Sequence, residues 1–175
     1  MMAYAFLDLA KDRYSVRKFT DRTIEQEKLA MILEAGNVAP TAVNYQPQRI
    51  YILRSEEAIQ KARELCPCTY GANTILLFAY DKNADWKNPR QEGIHSGQQD
   101  VSIVATHIML EAWSLGIASC WVNLFSNEEV ARAFALPENE EVVLLMPLGY
   151  AAEDAGPIEK WHNHAKPIGD TVTVL

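Results

Sequence analysis

Val142-Val143-Leu144-Leu145-Met146 is the strongest central-strand candidate in the chain. Five consecutive apolar residues, the first two β-branched, have strand length and no polar face. The strand is expected to break at Pro147 and Gly149, exposing backbone at a sheet edge where a ligand could sit. Working outward, Thr74 to Tyr80 is a second continuous apolar run. Arg49 to Arg54 is a third strand, β-branched and aromatic.

Helices separate these strands. Residues from about Ala3 to Asp12 read as a short helix. Thr23-Ile24-Glu25-Gln26 reads as a capping box, Leu29, Ile32 and Leu33 as the stripe that follows, and Gly36 as the stop. Ser55 caps a helix to about Leu65, and Ser126-Asn127-Glu128-Glu129 caps another that ends before Pro137. The segment from about Gly97 to Leu115 is apolar nearly all round after Asp100, so it is buried in the protein or in a subunit interface. Gly116 ends it, and Ile117 to Phe125 continues as a strand or extended segment. The polar stretch from Asp81 to Gly93 reads as a loop or mobile cover, and the tail from Ala151 as a wrapping segment. Strands separated by helices give an α/β or α+β sheet.

At 175 residues the chain fits one domain, 1–175, with room for a real core. A net charge of -7 and a pI near 5.1 argue against nucleic-acid binding. No apolar run approaches the roughly 20 residues that span a bilayer. The start shows no basic and then apolar leader, so the expected compartment is the cytoplasm. Cys66, Cys68 and Cys120 are too few for a disulfide framework. Cys66-Pro67-Cys68 would need ligands such as His162 and His164 to hold a metal, and reduced thiols with no metal site are the expectation.

Four segments carry chemistry. Arg13-Tyr14-Ser15-Val16-Arg17 sets two guanidinium groups four residues apart around a hydroxyl, the donor set that fits a phosphate. A solvated surface pair is the alternative. Ala39-Pro40-Thr41-Ala42-Val43-Asn44-Tyr45-Gln46-Pro47-Gln48 brackets Thr, Asn and Gln between prolines, and its amides offer donors and acceptors to a heterocycle. In Gly116-Ile117-Ala118-Ser119-Cys120-Trp121-Val122-Asn123, small residues before Trp121 allow backbone N–H groups to approach a flat ligand. Cys120 reads as a buried inert thiol rather than a nucleophile. The fourth segment is Met146-Pro147-Leu148-Gly149-Tyr150.

In this order the four segments resemble the nitroreductase family of FMN-dependent oxidoreductases. The Arg-x-Ser-x-Arg turn is matched by Arg13, Ser15 and Arg17, and the Pro-Ser-x-x-Asn-x-Gln-Pro loop by Pro40, Thr41, Asn44, Gln46 and Pro47. The Gly-to-Trp segment is similar to Gly116 through Trp121, and the Pro-x-Gly-Tyr strand end to Pro147 through Tyr150. The likeness runs from about Asp8 to Val174.

The resemblance implies an α+β fold, a central and mostly antiparallel sheet flanked by helices, in an interlocked homodimer with FMN sites at the interface. Arg13, Ser15 and Arg17 would then bind phosphate and ribityl, with Tyr14 contributing backbone. Pro40, Thr41, Asn44 and Gln46 would reach the flavin from the partner. Trp121, Val122, Asn123, Leu148 and Gly149 would line its ring. NAD(P)H would be the reductant, and a nitroaromatic, quinone or related acceptor the oxidant, in a ping-pong hydride scheme. The flavin carries that chemistry, so no catalytic side chain is needed. A flavin-binding protein for storage or sensing, without turnover, is the rival reading.

Two departures stand out. Relatives commonly carry a basic C-terminal motif, yet Ala165 stands at its usual arginine place, leaving Lys166 or His164 to compensate. Gln48 stands where many relatives have a large residue.

Overall fold

The computed structural model describes residues 5–162 and 164–175. The expected first helix begins later than its sequence reading. It runs Phe6–Asp12 (α1), and Ala3 and Tyr4 lie outside the described residues. The other helices are Gln26–Asn37 (α2), Glu56–Leu65 (α3), Gly97–Ser114 (α4), Asn127–Ala133 (α5) and the single turn Glu159–His162 (α6). The strands are Gln48–Leu53 (β1), Thr74–Asp81 (β2), Ala118–Ser119 (β3) and Glu140–Gly149 (β4). They form an antiparallel sheet in the order β1-β2-β4-β3, giving an α+β architecture.

The pleat of β2 shows why its sequence has no polar face. Leu76, Phe78 and Tyr80 pack beneath α2 and α4, while Ile75, Leu77 and Ala79 pack on the other side with Ile59 of α3 and Val130 of α5. With both faces covered, strand alternation disappears into a continuous apolar run. A register shift between Phe78 and Ala79 sends the adjacent Val143 and Leu144 of β4 toward the same side. The long helix α4 turns Val101, Val104, Ala105, Ile108 and Ala112 to the core, while Ile103 is 38% exposed. Gly116 ends it in the left-handed region at φ 74°.

Two caps form as read. The Ser55 hydroxyl accepts the Ala58 N–H and the Ser126 hydroxyl accepts the Glu129 N–H. The capping box does not form. Glu25 is extended and the helix starts only at Gln26, so Thr23 stands two residues too early to cap it, while the Glu25 carboxylate accepts the Tyr150 hydroxyl at 2.5 Å and pairs with Arg22 at 2.6 Å. Gly36 is no stop either, since it lies inside α2. A Cβ there would stand 2.6 Å from Ile108 Cδ1, so the glycine lets α2 close on α4.

The expected break at Pro147 is also corrected. The strand runs through Pro147 to Gly149, and β4 lies inside the sheet rather than at its edge. The Pro147 carbonyl accepts the Cys120 N–H at 3.2 Å, so its missing N–H faces the same way, toward the two-residue strand β3. The β2 side therefore loses no hydrogen bond. The polar stretch after β2 is a loop, as read, and ion pairs to a buried carboxylate hold its base. Asp85, with only 1% of its side chain exposed, pairs with Lys87 and with His95 Nδ1 at 2.7 Å, and Lys87 and His95 form a β-bridge.

Candidate cofactor-binding site

The turn after α1 is stitched to the sheet by backbone bonds. The Val16 N–H donates to Ser119 O at 3.0 Å and Thr20 N–H to Tyr150 O at 2.9 Å, while Phe19 bridges Ala151. Val16 is buried and acts as the anchor. Its neighbours Arg13, Tyr14, Ser15 and Arg17 are half-buried and face a cleft of about 120 Å³. Ile158, Trp161 and His162 of the tail form the opposite wall.

The charges in this cleft are uncompensated. Among the described residues no carboxylate pairs with Arg13 or Arg17. Burial pushes the Arg13 pKa down from its ordinary value, with the nearby Cys120 thiol working the other way. Arg17 donates to Ser15 O at 3.1 Å and sits 5.1 Å from the Trp161 ring centroid. Half-buried guanidinium groups without an anion are costly, and they mark a place where an anion is expected to bind. Burial raises the Cys120 thiol pKa more than Arg17 and Ser15 lower it, so the thiol stays protonated and inert.

The Tyr14 side chain is itself engaged. Its hydroxyl donates to Ala155 O at 3.2 Å, and its ring meets Trp113 and His162 edge-on at 5.0 and 5.9 Å. Trp161 and His162 were not singled out for this cleft in the sequence. Only tertiary folding brings the tail over a turn some 145 residues earlier, as order of magnitude. Lys166, expected near the phosphate, is exposed and is not among the described residues that line the cleft.

The second segment is a strained loop. Val43, Asn44 and Gln46 have φ of 46°, 58° and 50°, a left-handed conformation that side-chain-bearing residues rarely adopt. Two bonds hold it. The Asp100 carboxylate accepts the Ala42 N–H at 2.8 Å and the Ser96 hydroxyl at 2.6 Å, and Thr41 Oγ1 accepts the Gln46 N–H at 3.1 Å. Pro40, Asn44 and Gln46 are exposed and Thr41 half-buried. Strain of this kind clusters where backbone shape matters to function. Behind the loop, Gln48 Oε1 is buried without a partner among the described residues.

The structure does not bring the arginine turn and this loop together. The turn lies beside the Thr74 and Leu148 end of the sheet, whereas Gln48, which follows the loop, pairs with Tyr80 at the other end. The length of β2 separates them by on the order of 20 Å. Between them runs Trp121–Asn123. Val122 is buried and exchanges both backbone bonds with Leu145, at 2.9 and 3.1 Å. The N–H groups of Trp121 and Asn123 have no acceptor among the described residues. The indole N–H of Trp121 donates to Asn123 Oδ1 at 2.7 Å, and Asn123 Nδ2 to Val143 O at 2.7 Å. Leu148 is fully buried in the core, and Gly149 makes room for Phe19, 3.2 Å from where a Cβ would stand. Neither offers a side chain to a ring.

A sequence profile of the nitroreductase family matches residues 10–70 and 64–150. This chain belongs to the nitroreductase family. A Methanothermobacter thermautotrophicus protein provisionally named NADH dehydrogenase/NAD(P)H nitroreductase is 30% identical over 89% of this chain and 87% of its own length. An Archaeoglobus fulgidus protein of the same name is 31% identical over 85% and 86%. Among solved structures, a nitroreductase family protein from Clostridium difficile superimposes with a TM-score of 0.90 at 35% identity, covering 97% of this chain and 98% of that one. An Exiguobacterium sibiricum protein provisionally named a nitroreductase, solved in complex with FMN, shares the fold at a TM-score of 0.81 and 22% identity over 100% and 99%. Among the described residues, no three His, Cys, Asp or Glu side chains gather to hold a metal, and no helix is long and apolar enough to cross a membrane.

Proposed function

We propose that this chain is an FMN-dependent oxidoreductase that takes electrons from NAD(P)H and gives them to a nitroaromatic, quinone or related conjugated acceptor. One observation carries the reading. Arg13 and Arg17, half-buried and without a carboxylate partner, share a small cleft with the Ser15 hydroxyl in a protein of net charge -7. That donor set fits a phosphate monoester. The names of the archaeal relatives and the FMN complex of the Exiguobacterium neighbour support it.

Bound FMN would supply two-electron redox chemistry, alternating between reductant and acceptor in a ping-pong cycle. The protein would place it. Arg13 and Arg17 would hold the phosphate and Ser15 would complete its hydrogen bonds. The open N–H groups of Trp121 and Asn123 would be available as donors to ring acceptors, and the Pro40–Gln46 loop would present the Asn44 and Gln46 amides. Because turn and loop stand at opposite ends of the sheet, the loop would come from a second copy of the chain. That arrangement makes the functional unit a homodimer and the site shared.

Arg13→Ala with Arg17→Ala should give folded but colourless protein. A double variant that purifies yellow at full occupancy would overturn the phosphate role. Anaerobic addition of NADPH should bleach the flavin absorbance of the wild type. Failure to bleach it would favour flavin binding without turnover.

A further inference from the structure

The tail closes the arginine cleft with residues that the family motifs do not name. Resting on the flavin reading above, we propose that His162 is a third cationic contact of this cleft and makes phosphate retention by this chain depend on pH. His162 is half-buried on the cleft wall, its ring edge-on to Tyr14 with centroids 5.9 Å apart. Trp161 beside it packs over Arg17. The tail is bonded to the turn, and its short helix is closed by its own backbone. Tyr14 donates to Ala155 O, and Ile158 O accepts the N–H groups of both Trp161 and His162 at 2.9 Å. Ala165 and Lys166, where basic character was expected, are exposed and outside the cleft lining.

An imidazole changes charge between pH 8 and 5, and a charge-assisted contact to phosphate is roughly twice as strong as a neutral one. The charged and titratable groups facing His162 are Arg13, Tyr14 and Arg17 of the turn, with Glu159 and Lys160 on its own short helix. Two guanidinium groups share the cleft with it, and a bound dianion offsets them. Proton uptake and anion binding therefore favour each other, and each strengthens the other by the same factor. Retention is strong on the acidic side and falls as the solution becomes alkaline.

Sulfate probes this without flavin, because it stays a dianion at pH 6 and pH 8 while a phosphate monoester changes charge in that range. Half-saturation by sulfate, read from tryptophan fluorescence of flavin-stripped full-length protein, should need about five- to tenfold less sulfate at pH 6 than at pH 8. His162→Gln should lose that ratio and Lys166→Gln should keep it. Wild-type behaviour in His162→Gln, or loss of the ratio in Lys166→Gln, would overturn the role. The purified proteins are also diluted at both pH values and FMN release is followed by its fluorescence. Wild type should hold FMN better at pH 6 relative to His162→Gln. Failure to bind FMN at either pH, with the sulfate ratio intact, would sink the flavin reading alone. FMN bound equally by wild type and His162→Gln at both pH values would sink the His162 role alone.

Discussion

The carboxylate of Asp100, on the first turn of a helix, accepts the backbone N–H of Ala42 across 58 residues at 2.8 Å. Asp100 is only 2% exposed, and its other oxygen is held by Ser96. It therefore fixes a loop whose own dihedrals resist that shape. Asp100→Ala leaves two donors without an acceptor and should cost about 2–4 kcal/mol. Urea unfolding measures the loss, and faster amide exchange at Val43–Tyr45 would show that the loop has relaxed. A change under about 0.5 kcal/mol would contradict the anchoring role.

Arg13→Leu should separate stability from binding. Removing a half-buried, unpaired charge should stabilise flavin-free protein by about 1 kcal/mol. The same variant should lose most of its affinity for FMN. Comparison of urea midpoints for the stripped proteins, beside a flavin titration, tests both halves.

Gly36→Ala should cost about 1–3 kcal/mol despite the better helix propensity of alanine. The new methyl would meet Ile108 Cδ1 at 2.6 Å and Cγ1 at 2.8 Å. Adding Ile108→Val removes the nearer atom and should recover part of the loss. Thermal unfolding of the two single variants and the double variant gives the coupling.

Acid should weaken the junction between Glu25 and Tyr150. The Tyr150 hydroxyl bond, then a backbone bond and Arg22, lower the Glu25 pKa from 4.5 to about 2. A folded-state value below the unfolded one means that this contribution is complete above about pH 4.5. It fades as the pH falls toward 2. Tyr150→Phe should therefore reduce stability at pH 6 and make less difference at pH 2. An equal loss at both pH values would show that the hydroxyl acts otherwise.

What the sequence revealed depended on the reach of each interaction. Ser55 and Ser126 cap helices three residues away, so local pattern was sufficient. β2 and β4 were legible because residues buried on both faces leave no polar alternation. The Thr23 box failed because the chain stays extended through Glu25, whose side chain is bonded to Tyr150, a partner 125 residues along the chain. In the site, Arg13 and Arg17 could be read as a fork, since the turn itself sets their spacing. Trp161 and His162 could not, because their place on that cleft comes from the path of the tail. The sequence also carried no sign that Val122 spends its N–H on Leu145 while Trp121 and Asn123 keep theirs free.

Pro147 also has a bearing on motion. Having no N–H, it cannot return the bond that Cys120 gives it, and the Cys120 carbonyl has no donor among the described residues. The outermost segment is thus fastened on either side of a missing rung, by β3 above and the Val122–Leu145 pair below. Lifting residues 120–123 breaks three backbone bonds and leaves the two central strands intact. The sheet has a seam there, where the outermost segment is held to β4 by fewer backbone bonds than join β4 to β2.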